Sequence, residues 1–177
     1  MKNRRNVLIA FLLCATLIVG VGYAAFTGNL IINGTATYTH DGKELDEDIF
    51  FSGYENLSHC NVSFTDKDTA AIEVTFTPAD SLDGGKTCTA TAPLIITNTS
   101  PDKSVKFDTT ALSDIVVNSA DNVASMFDVT ATLSNETLAA NSTIKVNVTV
   151  TAQLQGVAED RTGTFVIQLP ATQITNT

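Results

Sequence analysis

The sequence predicts an all-β protein, an antiparallel two-sheet sandwich of the jelly-roll or Ig-like kind, preceded by a helical signal peptide. Roughly nine short apolar segments recur at a spacing of about 8 to 12 residues, and none outside the first 24 residues has a helical period. Several segments alternate apolar with polar side chains, and threonine is abundant on the polar side. Because threonine is β-branched yet wettable, it suits the solvent-facing side of a sheet.

The first 24 residues have the composition of a signal peptide. Three basic residues precede an uncharged apolar run of 15 residues, from Val7 to Val21. That run is short for a membrane span, which needs about 20 residues. Gly22 and Ala24 place small side chains at positions −3 and −1 of a cut before Ala25, as signal peptidase requires. We therefore predict cleavage after Ala24, so that the membrane is contacted only through the uncleaved leader.

Cleavage would leave an acidic chain of one domain, residues 25–177. It would hold seven basic and nineteen acidic residues, because the leader contains three of the ten Lys and Arg residues and no Asp or Glu. The resulting formal net charge of −12 argues against nucleic acid as a partner. It also favours a soluble, secreted product.

The predicted strands begin soon after the leader. Residues 30–39 are rich in β-branched side chains and form the first strand, with a bulge or bend at Gly34. Residues 49–51 and 60–64 are short apolar segments that we place at sheet edges. A polar turn, residues 52–56, joins them.

The clearest alternation in the first half of the chain lies at residues 71–77, where Ile72, Val74 and Phe76 point inward. The next strand spans residues 87–97, with a break expected at Pro93 because proline has no N–H to donate. In residues 126–133 the alternation returns, with Phe127, Val129, Ala131 and Leu133 on one face. The other predicted strands are residues 105–107, 115–117, 144–151 and 165–169, and the predicted loops are residues 134–142 and 156–163.

The junction between the leader and the first strand resembles the TasA/camelysin-type secreted proteins of Gram-positive bacteria. The resemblance rests on the basic start, the short apolar core, the cut after Tyr23-Ala24, and the run Phe26-Thr27-Gly28-Asn29-Leu30-Ile31-Ile32-Asn33-Gly34-Thr35-Ala36. It implies removal of the leader by a SipW-type signal peptidase and an extracellular or cell-surface location. It also implies a β-sandwich subunit that polymerises into biofilm matrix fibres, with its first mature strand completing a neighbouring subunit.

The first mature strand has two possible partners. Leaving Leu30, Ile31 and Ile32 in water costs about 1.5 to 3 kcal/mol for each side chain, so the strand must pair. Pairing within its own sheet gives a monomer, whereas pairing with the next molecule gives a filament. Our hypothesis is that residues 25–37 act as a donor strand.

Two cysteines remain after cleavage, since Cys14 lies in the leader. Cys60 and Cys88 either form one disulfide, which would stabilise by roughly 3 to 4 kcal/mol, or stay as two reduced, partly buried thiols. His59 and Cys60 with Cys88 are, in principle, three zinc ligands, but adjacent ligands without a second paired motif are a weak signal.

No metal site is predicted, and no cofactor. An acidic segment with Asp41, Asp46 and Asp48 lacks the spacing of a calcium-binding loop and is interpreted as a surface segment. No catalytic motif is found, and there is no His-Glu-x-x-His helix to support the peptidase activity ascribed to camelysin.

These observations predict a protein that is not an enzyme. The first hypothesis is a secreted structural subunit of an extracellular matrix or surface fibre, assembling by strand addition between subunits. The alternative is a monomeric secreted or surface binding module, an adhesin or carbohydrate-binding sandwich. The absence of Trp and the presence of only three Tyr weaken the sugar-stacking version of that alternative.

Overall fold

The computed structural model describes residues 30–40, 47–77, 80, 87–112, 115–119, 124–154 and 160–174. The predicted leader and its cleavage site, including Gly22, Ala24 and Ala25, lie outside these residues, as do Asp41 and Asp46. In the described part the chain forms eleven strands and two short 3-10 helices, Thr109–Leu112 and Ala124–Met126. The strands are β1 (Leu30–His40), β2 (Ile49–Tyr54), β3 (Cys60–Phe64), β4 (Thr69–Phe76), β5 (Thr87–Asn98), β6 (Ser104–Phe107), β7 (Val117–Asn118), β8 (Phe127–Leu133), β9 (Thr137–Leu138), β10 (Ser142–Gln153) and β11 (Arg161–Ile174).

The strands form two sheets, as the sequence predicts. A seven-stranded sheet has the order β3-β4-β1-β11-β6-β9, with β7 also paired to β11, and a four-stranded sheet has the order β2-β5-β10-β8. β2 and β3 lie at sheet edges, which confirms the placement of those two segments. Within the described residues, no helix is long and apolar enough to cross a membrane.

The prediction that the sandwich is purely antiparallel is wrong at one pair of strands. β1 and β11 run parallel from Leu30↔Arg161 to His40↔Ala171. A parallel pair needs a long connection between its two strands, and here the connection is nearly the whole domain. Alternation of side chains gives the face of a strand but not the direction of its neighbour, so the sequence pattern did not reveal this pair.

The core lies between the two sheets and is built from alternate residues of the strands. Ile72, Val74 and Phe76 of β4 are at most 2% exposed, as predicted. On β8, Phe127, Val129 and Ala131 are buried, and Leu133 is half-buried. The alternation therefore predicted the buried face of both strands correctly.

Two expected irregularities are absent. The register of β1 runs unbroken through Gly34 against both neighbours, so there is no bulge there. β5 likewise continues through Pro93. The Pro93 carbonyl accepts from the Glu55 N–H at 2.9 Å, and in an antiparallel ladder the N–H and C=O of one residue point to the same side. An N–H on residue 93 would therefore point toward the β2 side, beyond the last β2 residue Tyr54. Its absence in proline removes no hydrogen bond to β10.

Other boundaries differ from the prediction. Ser52, Gly53 and Tyr54 continue β2 across a register shift between Phe51 and Gly53 and are not a turn. Strand structure at the predicted 115–117 segment is limited to β7. The predicted connection 134–142 contains β9, whose Leu138 is fully buried. The predicted loop 156–163 ends earlier, since β11 begins at Arg161.

Candidate functional site

The first strand occupies a slot inside its own sheet. β1 pairs with β4 on one side and with β11 on the other. The side chains of Leu30 and Ile32 are 0% exposed, while Ile31 is half-buried on the outer face. The structure thus places the predicted donor residues in the monomer-type pairing, one of the two alternatives that the sequence left open.

The hydrogen bonds of β1 are divided between its two neighbours. The Tyr38 N–H donates to the Asp68 carbonyl at 3.2 Å, on the β4 side. Because successive residues of a strand bond to opposite sides, even-numbered β1 residues face the β4 backbone and odd-numbered ones the β11 backbone. The pair Thr35↔Ala71 is therefore a non-hydrogen-bonded pair, whose side chains come close together.

In the described part of the chain, the terminal strands of both sheets have one open backbone edge: β3 and β9 in the seven-stranded sheet, and β2 and β8 in the four-stranded sheet. β8 pairs only with β10, and β3 pairs only with β4. On β8 the outward side chains are Asp128, Thr130 and Thr132. A charged or polar outer face is typical of edges that must resist unspecific pairing.

An aromatic row runs from the core to the surface beside β2 and β3. The rings of Tyr38 and Phe51 lie 6.1 Å apart, those of Phe51 and Phe64 6.2 Å, and those of Phe64 and Tyr54 6.3 Å. Tyr54 and Phe64 are 47% and 37% exposed. They form a stacked aromatic pair at the surface, where the edges of the two sheets meet.

The outer face of the seven-stranded sheet contains a groove of about 640 Å³. It crosses β3, β4, β1 and β11. Its polar lining includes Asn33, Asn61, Glu73 and Thr164, and Val166, which is 52% exposed, adds an apolar wall. The groove could hold a small, extended ligand.

Cys60 and Cys88 are both reduced thiols in the structure. Cys60 Sγ donates to the Thr91 carbonyl at 3.1 Å. Burial raises the pKa of the Cys60 thiol above its ordinary value, an effect partly offset by a hydrogen bond with the Ser58 backbone. The thiol of Cys60 is therefore directed to the backbone of β5. The predicted alternative of a Cys60–Cys88 disulfide stays a prediction about the oxidised protein.

Three side chains lie close enough together to hold a metal ion. The ligand atoms of His59, Asp80 and Cys88 all lie within 4.8 Å of one another. His59 Nδ1 is 3.4 Å from Asp80 Oδ1. This set differs from the His59, Cys60 and Cys88 set considered from the sequence, because Asp80 takes the place of Cys60.

No sequence motif points to Asp80 as a metal ligand. It lies in a polar connection between β4 and β5, more than 20 residues after His59 in the chain. This separation matches no metal-ligand motif. Only the return of β5 beside the residues before β3 brings the three side chains together; the Ser58↔Thr91 bridge marks this contact. The other acidic candidate, Asp48, lies in the turn before β2, where its carbonyl accepts from the Thr99 N–H at 2.8 Å.

Comparisons with known proteins do not assign a family. No protein-family model matches the chain. No curated protein matches it. Among solved structures, the mu-homology domain of yeast delta-COP-I aligns over 82% of this chain and 98% of that chain, with 8% sequence identity and a TM-score of 0.15. A score this low carries no argument about fold or function.

Proposed function

We propose that the protein is a secreted structural subunit of an extracellular matrix or surface fibre and that it assembles by strand addition between subunits. The observation that carries this proposal is the position of β1. The strand that follows the predicted cleavage site is a central strand, held on both sides, and not an edge strand. A jelly-roll-like sandwich with such a strand at its N terminus is suited to exchange.

Exchange of β1 between copies would conserve its interactions. The slot between β4 and β11 has the same backbone partners and the same apolar core side chains for a β1 strand from any copy. Exchange would break the pairing of β1 with β4 and β11 in one copy and re-form the same pairing in the next. If each copy gives its β1 to the next, the contact is head-to-tail and does not close, so a filament grows.

The leader supplies the timing in this proposal. While residues 1–24 are attached, the N-terminal end of β1 is tied to the membrane-type segment. Removal of the leader by a SipW-type signal peptidase would release it outside the cell, at the surface of a Gram-positive bacterium. Assembly would then be confined to the exported protein, which self-associates without nucleic acid or a cofactor.

An engineered disulfide tests the exchange. Thr35→Cys with Ala71→Cys places two thiols at a non-hydrogen-bonded pair of β1 and β4, where Cα atoms lie about 4.5 Å apart, within the range for a disulfide. The background carries Cys60→Ser and Cys88→Ser, so that no other thiol competes. With β1 locked in its own sheet we expect monomers, and after addition of reductant we expect filaments under electron microscopy.

The reduced double variant and the two single-cysteine variants are the matched controls. Filaments from oxidised protein would contradict strand exchange if the mass under denaturing conditions is that of a single chain with the bridge closed. If the intact protein forms no filaments under any condition, the structural role itself is wrong.

The second candidate is the monomeric binding module, and one observation favours it. The stacked pair Tyr54 and Phe64 is exposed, as a sugar-stacking platform requires. Glycan-array binding by a strictly monomeric protein, lost in Tyr54→Ala, would support this alternative over the fibre subunit.

A further inference from the structure

We propose that His59, Asp80 and Cys88 form a binding site for a zinc-class divalent cation. The three residues come from three separate parts of the chain: the segment before β3, the connection after β4, and the start of β5. Their ligand atoms lie within 4.8 Å of one another. The proposal stands independently of the proposed function.

The distances are close to those of a bound ion. In a tetrahedral zinc site with bonds of about 2.0 to 2.3 Å, ligand atoms lie about 3.3 to 3.8 Å apart. His59 Nδ1 and Asp80 Oδ1 are already 3.4 Å apart. Closing the remaining separations requires shifts of about 1 Å, which side-chain rotation can supply.

The carboxylate of Asp80 is held in place by a neighbour. Its Oδ2 accepts from the Thr77 N–H at 2.6 Å and from Thr77 Oγ1 at 3.0 Å. This leaves Oδ1 directed toward His59. Zinc ligands are commonly oriented by such outer hydrogen bonds, which also tune their affinity.

The backbone of His59 is in an unusual conformation. Its φ is 53°, in the left-handed region that costs non-glycine residues about 1 kcal/mol or more. The imidazole ring packs beside Phe76, at a centroid distance of 6.3 Å. In this conformation the backbone of His59 leads directly into β3, and its imidazole ring lies next to Asp80.

The ligand types select the class of metal. One imidazole nitrogen, one carboxylate oxygen and one thiolate sulfur suit zinc, whereas calcium and magnesium take oxygen ligands. Three protein ligands leave a fourth position for water. A bound ion would join the edge strand β3 of one sheet to β5 of the other, at the end of β4 where Phe76 pairs with Leu30 of β1.

The test uses protein recovered from a secreting host that expresses the full chain, kept reduced and stripped of metal. Co²⁺ is the spectroscopic probe, because thiolate coordination gives a charge-transfer band in the near ultraviolet. We expect that band, and its loss when Zn²⁺ is added. At free Zn²⁺ about 100-fold above Kd, we expect Tm to rise by about 5 to 10 °C.

The variants separate ligands from neighbours. His59→Asn tolerates the left-handed backbone, and Asp80→Asn and Cys88→Ser preserve shape; each should weaken Zn²⁺ binding at least about 100-fold. Thr77→Val removes only the hydroxyl and should weaken it about 10-fold. Cys60→Ser is the matched control and should bind Co²⁺ with the same band as the parent.

Circular dichroism of each metal-free variant checks that it folds. The proposal is overturned if the parent gives no thiolate band and no Zn²⁺-dependent shift in Tm. It is also overturned if Cys60→Ser abolishes the band, since that result would assign the thiolate to the other cysteine.

Discussion

The ring of Phe165 covers Gly34 in the adjacent strand. The two residues are register partners in the parallel pair of β1 and β11. Both face the core, and Phe165 is 1% exposed. A Cβ atom at position 34 would fall among the atoms of the phenyl ring. The missing side chain of glycine is therefore the space that the aromatic ring fills.

Gly34→Ala should destabilise the protein by at least about 2 kcal/mol, since overpacking of a rigid core costs about 1 to 3 kcal/mol and here the ring must move. Urea unfolding measures the change. Gly53→Ala is the matched control, because nothing lies within 4 Å of a Cβ at Gly53 in β2. We expect it to change stability by no more than about 0.5 kcal/mol. Equal effects of the two variants would contradict the role of Phe165.

Asn98→Asp should destabilise the protein by about 2 to 5 kcal/mol at neutral pH. The Asn98 side chain is 1% exposed. Its amide donates to the Lys103 carbonyl at 2.8 Å and to the Ala139 carbonyl at 3.1 Å. A carboxylate has no hydrogen to donate, so both carbonyls would face a buried negative charge. Urea unfolding measures the loss, and Asn147→Asp, at an exposed β10 position, is the control.

The same substitution gives a pH signature. Burial beside two carbonyls should raise the pKa of an aspartate at position 98 in the folded state. The destabilisation relative to the parent should then be complete at pH values above that raised pKa. It should shrink as pH falls toward the unfolded value of about 3.9. A destabilisation that is independent of pH would mean that the amide bonds are not what Asn98 supplies.

Thr110 should control the titration of Asp108. Hydrogen bonds from the Thr110 hydroxyl at 2.6 Å and the Thr110 N–H at 2.9 Å lower the pKa of Asp108 below its ordinary value of 3.8. Thr110→Val removes the larger of these two causes, so the pKa should rise but stay below 3.8, as followed by NMR. Because the folded pKa is lowered, the associated stability is present above the unfolded pKa and is lost as pH falls through the folded one. Thr143→Val is the control, and an unchanged Asp108 titration in Thr110→Val would contradict the assignment.

The leader should be removed after Ala24. N-terminal sequencing of the secreted protein should give Ala25 as the first residue, because Gly22 and Ala24 meet the small-side-chain requirement. Gly22→Leu should block this cut, whereas Tyr23→Leu, at the tolerant position between them, should not. Recovery of the protein only in membranes with Met1 as its first residue would contradict cleavage.

A chain that lacks residues 25–40 should lose its folded structure, since β1 fills the centre of a sheet. A synthetic peptide of residues 25–40, added in trans, should restore the β signal in circular dichroism if the slot accepts a strand from outside. The matched control is the same peptide with Ile32→Asp, which puts a charge at a 0% exposed position. A parent peptide that restores no more structure than the control would argue against strand donation.

The sequence was most informative where a strand is half-buried. In β4, β8 and β10 the alternation of apolar and polar side chains follows directly from the period of two of an extended chain. The buried faces of these strands could therefore be predicted from the sequence. It was less informative at Gly34 and Pro93. Both residues usually mark irregularities, but here each lies where a neighbour makes it acceptable: the Phe165 ring above Gly34, and the end of β2 beside Pro93.

The sequence by itself determined the all-β class, the two-sheet arrangement, the edge positions of β2 and β3, and most of the core, because these depend on local period and on the hydrophobic effect. Only the tertiary structure decided that β1 pairs parallel to β11 and that Asp80 joins His59 and Cys88. Both relationships connect residues far apart in the chain. They depend on which strands become neighbours, and the energies that select those neighbours belong to the packed sheets and not to any one segment.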